Sequence, residues 1–282
     1  MKMKMKAAIC GVLAAAMMAV AGCGGGNTAK PASSAQAGQS QLMQTIKNRG
    51  ELIVGTASGY PPYEFVDTSK SDKTIVGIDM ELAQKVADKL GVKLKVEDMN
   101  FSSLLSSLAT GKVDIAIAGI NPTDERKKSM DFSDGYLPTK QVIMIRKEDA
   151  GTLKTLEDFK GKTVGAEKAT TQEKLAQTAM PFATLVSLTK VPDVVMELKS
   201  HKVDGLIVEG IVAEQYLMFN PDIVLSDATF TEGVKNSAVA LPKGNEDLVK
   251  MINEVIKENT DNGNFSKWVE EYSKKAVENA KK

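Results

Sequence analysis

The sequence predicts an α/β protein of two lobes, with two crossover strands between them forming a hinge. Three observations carry this expectation. Short apolar runs alternate with stretches of helical spacing, the alternation restarts near the middle of the chain, and one segment of the first half is echoed in the second. Residues 42–140 with 237–282 are expected to form lobe 1, and residues 141–236 lobe 2.

The chain starts with a segment that does not belong to either lobe. Lys2, Lys4 and Lys6 precede an apolar run over residues 7–21, the pattern of a secretory signal. The run is shorter than the about 20 apolar residues of a membrane span, and it ends at Val20-Ala21-Gly22-Cys23, which resembles a bacterial lipobox. That resemblance implies a lipoprotein signal peptide over residues 1–22 and a diacylated Cys23 at the mature N-terminus. The protein would then be extracytoplasmic and anchored to the cell membrane by lipid. Residues 23–41, rich in Gly, Ser and Gln, bury too little apolar surface to fold and read as a flexible tether. Removal of residues 1–22 discards Cys10, which precludes an internal disulfide, and leaves 33 basic against 36 acidic groups. That balance argues against a nucleic-acid partner.

The folded part opens with the apolar run Leu52-Ile53-Val54, a strand. Leu82, Val86 and Leu90 stand at helical spacing before Gly91, a C-cap. Residues 92–96 alternate, residues 101–109 form an apolar helix, and residues 113–118 form a buried strand. The pattern restarts at residues 161–165 with a strand, a helix from Gln172, a helix over 191–200 and a strand over 203–208. Residues 108–119 align without gaps on residues 198–209, sharing Leu, Lys, Val, Asp and one Ile, and His201 falls on Gly111 as an exposed helix cap. The alignment sets Gly119 and Glu209 at matching strand ends, which face the ligand crevice in open α/β sheets. Residues 237–241 and 248–255 add a strand and a helix, with Phe265 and Trp268 near the end. The crossover strands are expected near residues 141–146 and 237–241.

Four stretches make the pattern specific: Gly55 to Phe65 with its Tyr60-Pro61-Pro62-Tyr63-Glu64-Phe65, Gly77-Ile78-Asp79-Met80-Glu81-Leu82, Gly119 to Arg126 continuing to Asp131-Phe132-Ser133, and Ala169-Thr170-Thr171-Gln172-Glu173. Together they resemble the polar amino acid family of bacterial extracellular solute-binding proteins, family 3. The resemblance implies a type II periplasmic-binding-protein-like fold and the substrate-binding component of an ABC importer, with a separate permease and ATPase as partners. No cofactor and no metal are expected.

An amino acid presents a carboxylate, an ammonium and a side chain, so its cleft needs a fixed cation, a fixed anion and a wall. Arg126 is the cation, since guanidinium grips carboxylate through two parallel hydrogen bonds. Thr170 and Glu173 have capping-box spacing, so the helix from Thr171 offers its N-terminus to the same carboxylate. The resemblance places Glu209 where an aspartate usually meets the ammonium, and adds Tyr60 and Phe101 as the wall, the Gly119 carbonyl and Asn121. Asp79, Glu81 and residues 131–133 are read as structural. Ala169 replaces a common Gly, which implies that the turn does not need φ above zero.

Ala57 lies where family members binding basic amino acids carry an acid, and Glu167 is the acid that could replace it from the other lobe. The cargo is therefore read as a polar or basic L-amino acid. Two other readings use the same scaffold. A cyclohexadienyl-dehydratase-like enzyme needs a general acid in the cleft, for which Glu209 or Glu167 is available. A sensor module needs spans or an output domain that the sequence does not display.

Overall fold

The computed structural model describes residues 40–69 and 71–281. The expected signal peptide and Cys23 lie outside the described residues. The tether was expected to reach Gln41, but Ser40 is the N-cap of a helix beginning there, its Oγ accepting from Met43 N.

The elements run α1 (Gln41–Arg49), β1 (Glu51–Thr56), β2 (Phe65–Val66), β3 (Ile75–Val76), α2 (Ile78–Leu90), β4 (Lys93–Asp98), α3 (Phe101–Ala109), β5 (Ile115–Ala116), α4 (Asp124–Lys127), β6 (Met130–Phe132), β7 (Leu137–Thr139) and β8 (Gln141–Arg146). They continue as β9 (Thr163–Glu167), α5 (Thr171–Ala179), β10 (Thr184–Leu188), α6 (Val191–Lys199), β11 (Gly205–Glu209), α7 (Gly210–Phe219), β12 (Ile223–Leu225), β13 (Lys235–Ser237), β14 (Ala240–Pro242), α8 (Glu246–Asp261) and α9 (Asn264–Ala280).

Two five-stranded sheets define two lobes, with orders β4-β1-β5-β14-β6 and β10-β9-β11-β8-β12. Each has three parallel strands, a fourth antiparallel to them and a fifth antiparallel to the fourth, so four of the five strands run the same way. In the first sheet the fourth strand, β14, returns from the other lobe; in the second it is β8, the first strand to arrive. The chain therefore crosses twice. The crossing segments themselves are β7 and β13, which pair antiparallel, Leu137 opposite Ser237 and Thr139 opposite Lys235. They lie a few residues before the expected positions, because residues 141–146 and 240–242 are already inside the sheets.

The internal echo has physical content. Asp114 accepts from Ile53 N in one lobe, and Asp204 accepts from Thr163 N in the other, each tying a loop to the neighbouring first strand. Each also meets an arginine, Arg49 and Arg146 respectively. Gly111 at φ 70° and His201 at φ 61° end the preceding helices in the same left-handed conformation. A Cβ on Gly55 would lie 2.4 Å from Leu104, and one on Gly165 would lie 2.3 Å from Val194, so glycine lets each helix approach its sheet.

Apolar residues of α2, α8 and α9 cover one face of the first sheet, and Leu104 and Leu108 of α3 cover the other. The first cluster continues without interruption through Tyr136 and Val239 to Val208, Val212 and Tyr216 of the second lobe. Gln215 on α7 also donates to Ser273 on α9 at 3.0 Å, so α9 spans the lobes as a third link.

Candidate ligand-binding cleft

The C-terminal ends of β1, β5 and β9 meet between the sheets and supply the cleft, as expected for open α/β sheets, with the end of β11 behind them. The cleft contains a small cavity of about 20 Å³, room for about one water, so the two walls are drawn together around the site.

One wall is built from the loop after β1. Ser58 is held by Asp98 through its N–H and hydroxyl, and the chain returns so that Tyr60 and Glu64 bridge. Tyr60 stacks on fully buried Tyr63, with ring centroids 5.7 Å apart. Gly119 closes on Tyr60: at φ 55°, a Cβ there would sit 3.3 Å from the ring. Its N–H donates to Asp79 Oδ2 at 2.9 Å, and Asp79 Oδ1 accepts from the Tyr136 hydroxyl at 2.7 Å. Asp79 thus fixes the backbone of the wall from behind.

Arg126 sits on the short helix α4, whose N-cap Thr123 accepts from Arg126 N. Its guanidinium lies over the Phe101 ring, 5.2 Å from the centroid. Nη1 donates to the Asn121 carbonyl at 2.8 Å, and Nη2 crosses the cleft to the Ala169 carbonyl at 3.0 Å. Burial lowers its pKa to about 10, which leaves it cationic at neutral pH.

The facing wall is the turn before α5. Thr170 caps α5 by accepting from Glu173 N, while Glu173 Oε2 accepts from Ala169 N at 2.7 Å. The expectation for Ala169 is corrected, since its φ is 66°. The turn keeps its left-handed residue because the Ala169 N–H and carbonyl are both engaged, by Glu173 and Arg126. Thr171 Oγ1 donates to Asn121 Oδ1 at 3.0 Å, and Gln172 Nε2 reaches Gln141 Oε1 at 2.9 Å and the Tyr60 hydroxyl at 3.4 Å.

Tyr60, Phe101, Gly119, Asn121, Arg126, Glu167 and Thr171 all line this cavity. Glu209 does not. It is fully buried one layer behind, its Oε1 accepting from Asn121 Nδ2 at 3.1 Å. Burial raises its pKa to about 7, against the contrary pull of Tyr63 and Asn121. Burial likewise raises Glu167 to about 8, with Lys190 opposing. The sequence reading missed Glu64 and Gln172 as lining residues. Glu64 carried a signal, a charged residue between the apolar neighbours Tyr63 and Phe65. Among the described residues, no group of His, Cys, Asp and Glu could hold a metal ion, and no helix is long and apolar enough to cross a membrane.

The model of the bacterial extracellular solute-binding proteins, family 3, matches residues 52–275. The chain is 40% identical to the arginine-binding extracellular protein ArtP of Bacillus subtilis, over 77% of this chain and 84% of that one. It is 30% identical to the L-cystine-binding protein TcyJ of Escherichia coli, over 82% and 85% of the two chains. Among solved structures, it is similar to the amino acid ABC transporter substrate-binding protein AbpA of Streptococcus pneumoniae bound to L-arginine. That match has a TM-score of 0.81 and 34% identity, covering 83% of this chain and 99% of that one.

Proposed function

Because this chain belongs to the bacterial extracellular solute-binding proteins, family 3, we propose that it captures a basic L-amino acid, L-arginine first, and delivers it to an ABC permease and ATPase. The observation that carries the reading is the opposition, in one cavity between the lobes, of Arg126 with the α5 N-terminus and of Glu167. The first pair suits the ligand carboxylate, and the acid suits a cationic side chain. The relatives that bind arginine support the same choice.

Arg126 turns from the Asn121 and Ala169 carbonyls to the ligand carboxylate, joined by Thr171. The Gly119 carbonyl and, through Asn121, Glu209 receive the ammonium, and Tyr60 and Phe101 flank the side chain. Residues 42–140 and 237–282 close against residues 141–236 about the paired strands β7 and β13, and the permease reads the closed form. The protein acts by binding rather than by catalysis. Residues 1–22 direct export, and lipid on Cys23 keeps the protein at the membrane; Cys23→Ala should release it into the medium.

Thermal unfolding against each common L-amino acid tests the cargo, since a ligand of the folded state adds about 2.7 kcal/mol at 100 times its Kd. Arginine should raise the midpoint most, with lysine behind it. A rise with cystine alone, or with no amino acid, overturns the reading.

A further inference from the structure

Outside the cavity, two consecutive carbonyls of lobe 1 are held by side chains of lobe 2. Lys190, the N-cap residue of α6, donates from Nζ to the Ser58 carbonyl at 3.2 Å and lies 3.4 Å from the Ser58 hydroxyl oxygen. Tyr216 on α7 donates its hydroxyl to the Gly59 carbonyl at 2.9 Å. Donors and acceptors belong to different lobes, so both bonds exist only while the lobes are together.

The bend at Ser58 and Gly59 is shaped for this approach. Asp98, at the end of β4, accepts from the Ser58 N–H at 2.8 Å and from its hydroxyl at 2.7 Å, and its Oδ2 lies 3.9 Å from Lys190 Nζ. Gly59 adopts φ 113°, and a Cβ there would meet Pro192 of α6 at 3.2 Å, so glycine admits the start of α6 to the bend. Tyr216 is itself buried and packs in one core with Val191 and Val194 of α6, which aims its hydroxyl at the bend from a fixed position. The next residue along the bend, Tyr60, lines the cavity, whereas Ser58, Gly59, Lys190 and Tyr216 do not.

We propose that Lys190 and Tyr216 form a closure clasp, two positioning residues that hold the lobes together from outside the cavity and set the affinity for every cargo by one common factor. This rests on the proposed function, in which binding requires closure, and leaves the choice among cargoes to the cavity. The affinity of a ligand that needs the closed form is the intrinsic affinity of that form reduced by the fraction of molecules adopting it. A contact made only in the closed form changes that fraction for all ligands alike, and its loss is felt chiefly in dissociation. The Lys190 charge also reaches the cavity, where it opposes the rise in the Glu167 pKa. Two ligands of equal charge cancel that contribution, which makes them the proper pair for comparison.

The test measures affinity and dissociation rate of the full-length chain for L-arginine and L-lysine in Lys190→Met, Tyr216→Phe and the double variant, with small-angle scattering of each protein without ligand. Each single change should weaken both ligands by the same factor, about three- to tenfold, the scale of one hydrogen bond. The loss should lie in faster dissociation, and the double variant should scatter as a wider particle than the unmodified chain. Lys190→Arg, which keeps a donor and the charge, should recover most of the affinity, a rescue that general destabilisation would not give. Unchanged affinity in both single variants, or a loss confined to one of the two ligands, overturns the clasp while leaving an amino acid receptor standing. Failure of arginine, lysine and every other amino acid to bind overturns the proposed function instead, and scattering then decides the clasp, which falls if the double variant keeps the dimensions of the unmodified chain.

Discussion

Arg126 reaches out of the first lobe and donates from Nη2 to the carbonyl of Ala169 in the second, 3.0 Å away, at the left-handed turn that starts α5. One guanidinium therefore touches both halves of the cleft, and the residue it touches is held in a conformation that alanine rarely adopts.

Arg126→Ala should weaken ligand binding by about 2–5 kcal/mol, since the ligand carboxylate would remain in the cleft without its partner. Calorimetric titration measures this. A loss below threefold would place the carboxylate elsewhere.

Ala169→Gly should stabilise the protein by about 1 kcal/mol. The left-handed region costs an L-residue roughly 1–2 kcal/mol, and the larger backbone entropy that glycine loses on folding offsets part of the relief. Urea unfolding gives the sign, and the reverse sign would mean that the alanine methyl contributes more by packing against the Phe101 cluster, which it joins.

Asp79→Ala leaves the Gly119 N–H and the Tyr136 hydroxyl without their acceptor in a fully buried position. Unfolding free energy should fall by about 1–3 kcal/mol. Ligand affinity should fall with it, because the carbonyl wall at Gly119 loses its support.

Folding stability should depend on pH through the cleft acids. Glu209 is raised to about 7 and Glu167 to about 8, in both cases chiefly by burial. The folded chain keeps protons that the unfolded chain gives up near pH 4.3. Their contribution is therefore full below that pH and declines as pH rises to about 8. The ligand-free thermal midpoint should drop across this window, and Glu209→Gln should flatten the drop.

Gly165→Ala should destabilise by about 1–3 kcal/mol, because the added methyl meets Val194 Cγ1 at 2.3 Å inside a packed core. Gly55→Ala should behave alike against Leu104, a parallel that follows from the repeated strand and helix geometry and is measurable by the same denaturant titration.

Much of the architecture is legible in local pattern. The apolar spacing of residues 101–109 coincides with α3, and Gly91 does end α2 in the left-handed conformation. Elements whose stability comes from partners are less legible. α1 buries only Met43 and Ile46, so few apolar residues mark it in the sequence. β7 contains Pro138 and is held by a two-stranded pairing with β13 from almost a hundred residues away, which no local pattern announces.

The sequence by itself determined the two-lobe alternation, the cap at Thr170 and the residue types able to meet a carboxylate, because periodicity, capping and side-chain chemistry are local properties. Tertiary structure alone decided that Glu209 lies behind Asn121, that Ala169 turns left-handed under contacts from Glu173 and Arg126, and that Glu64 faces the cavity. Each of these depends on which groups burial brings together, and burial is a property of the whole folded chain.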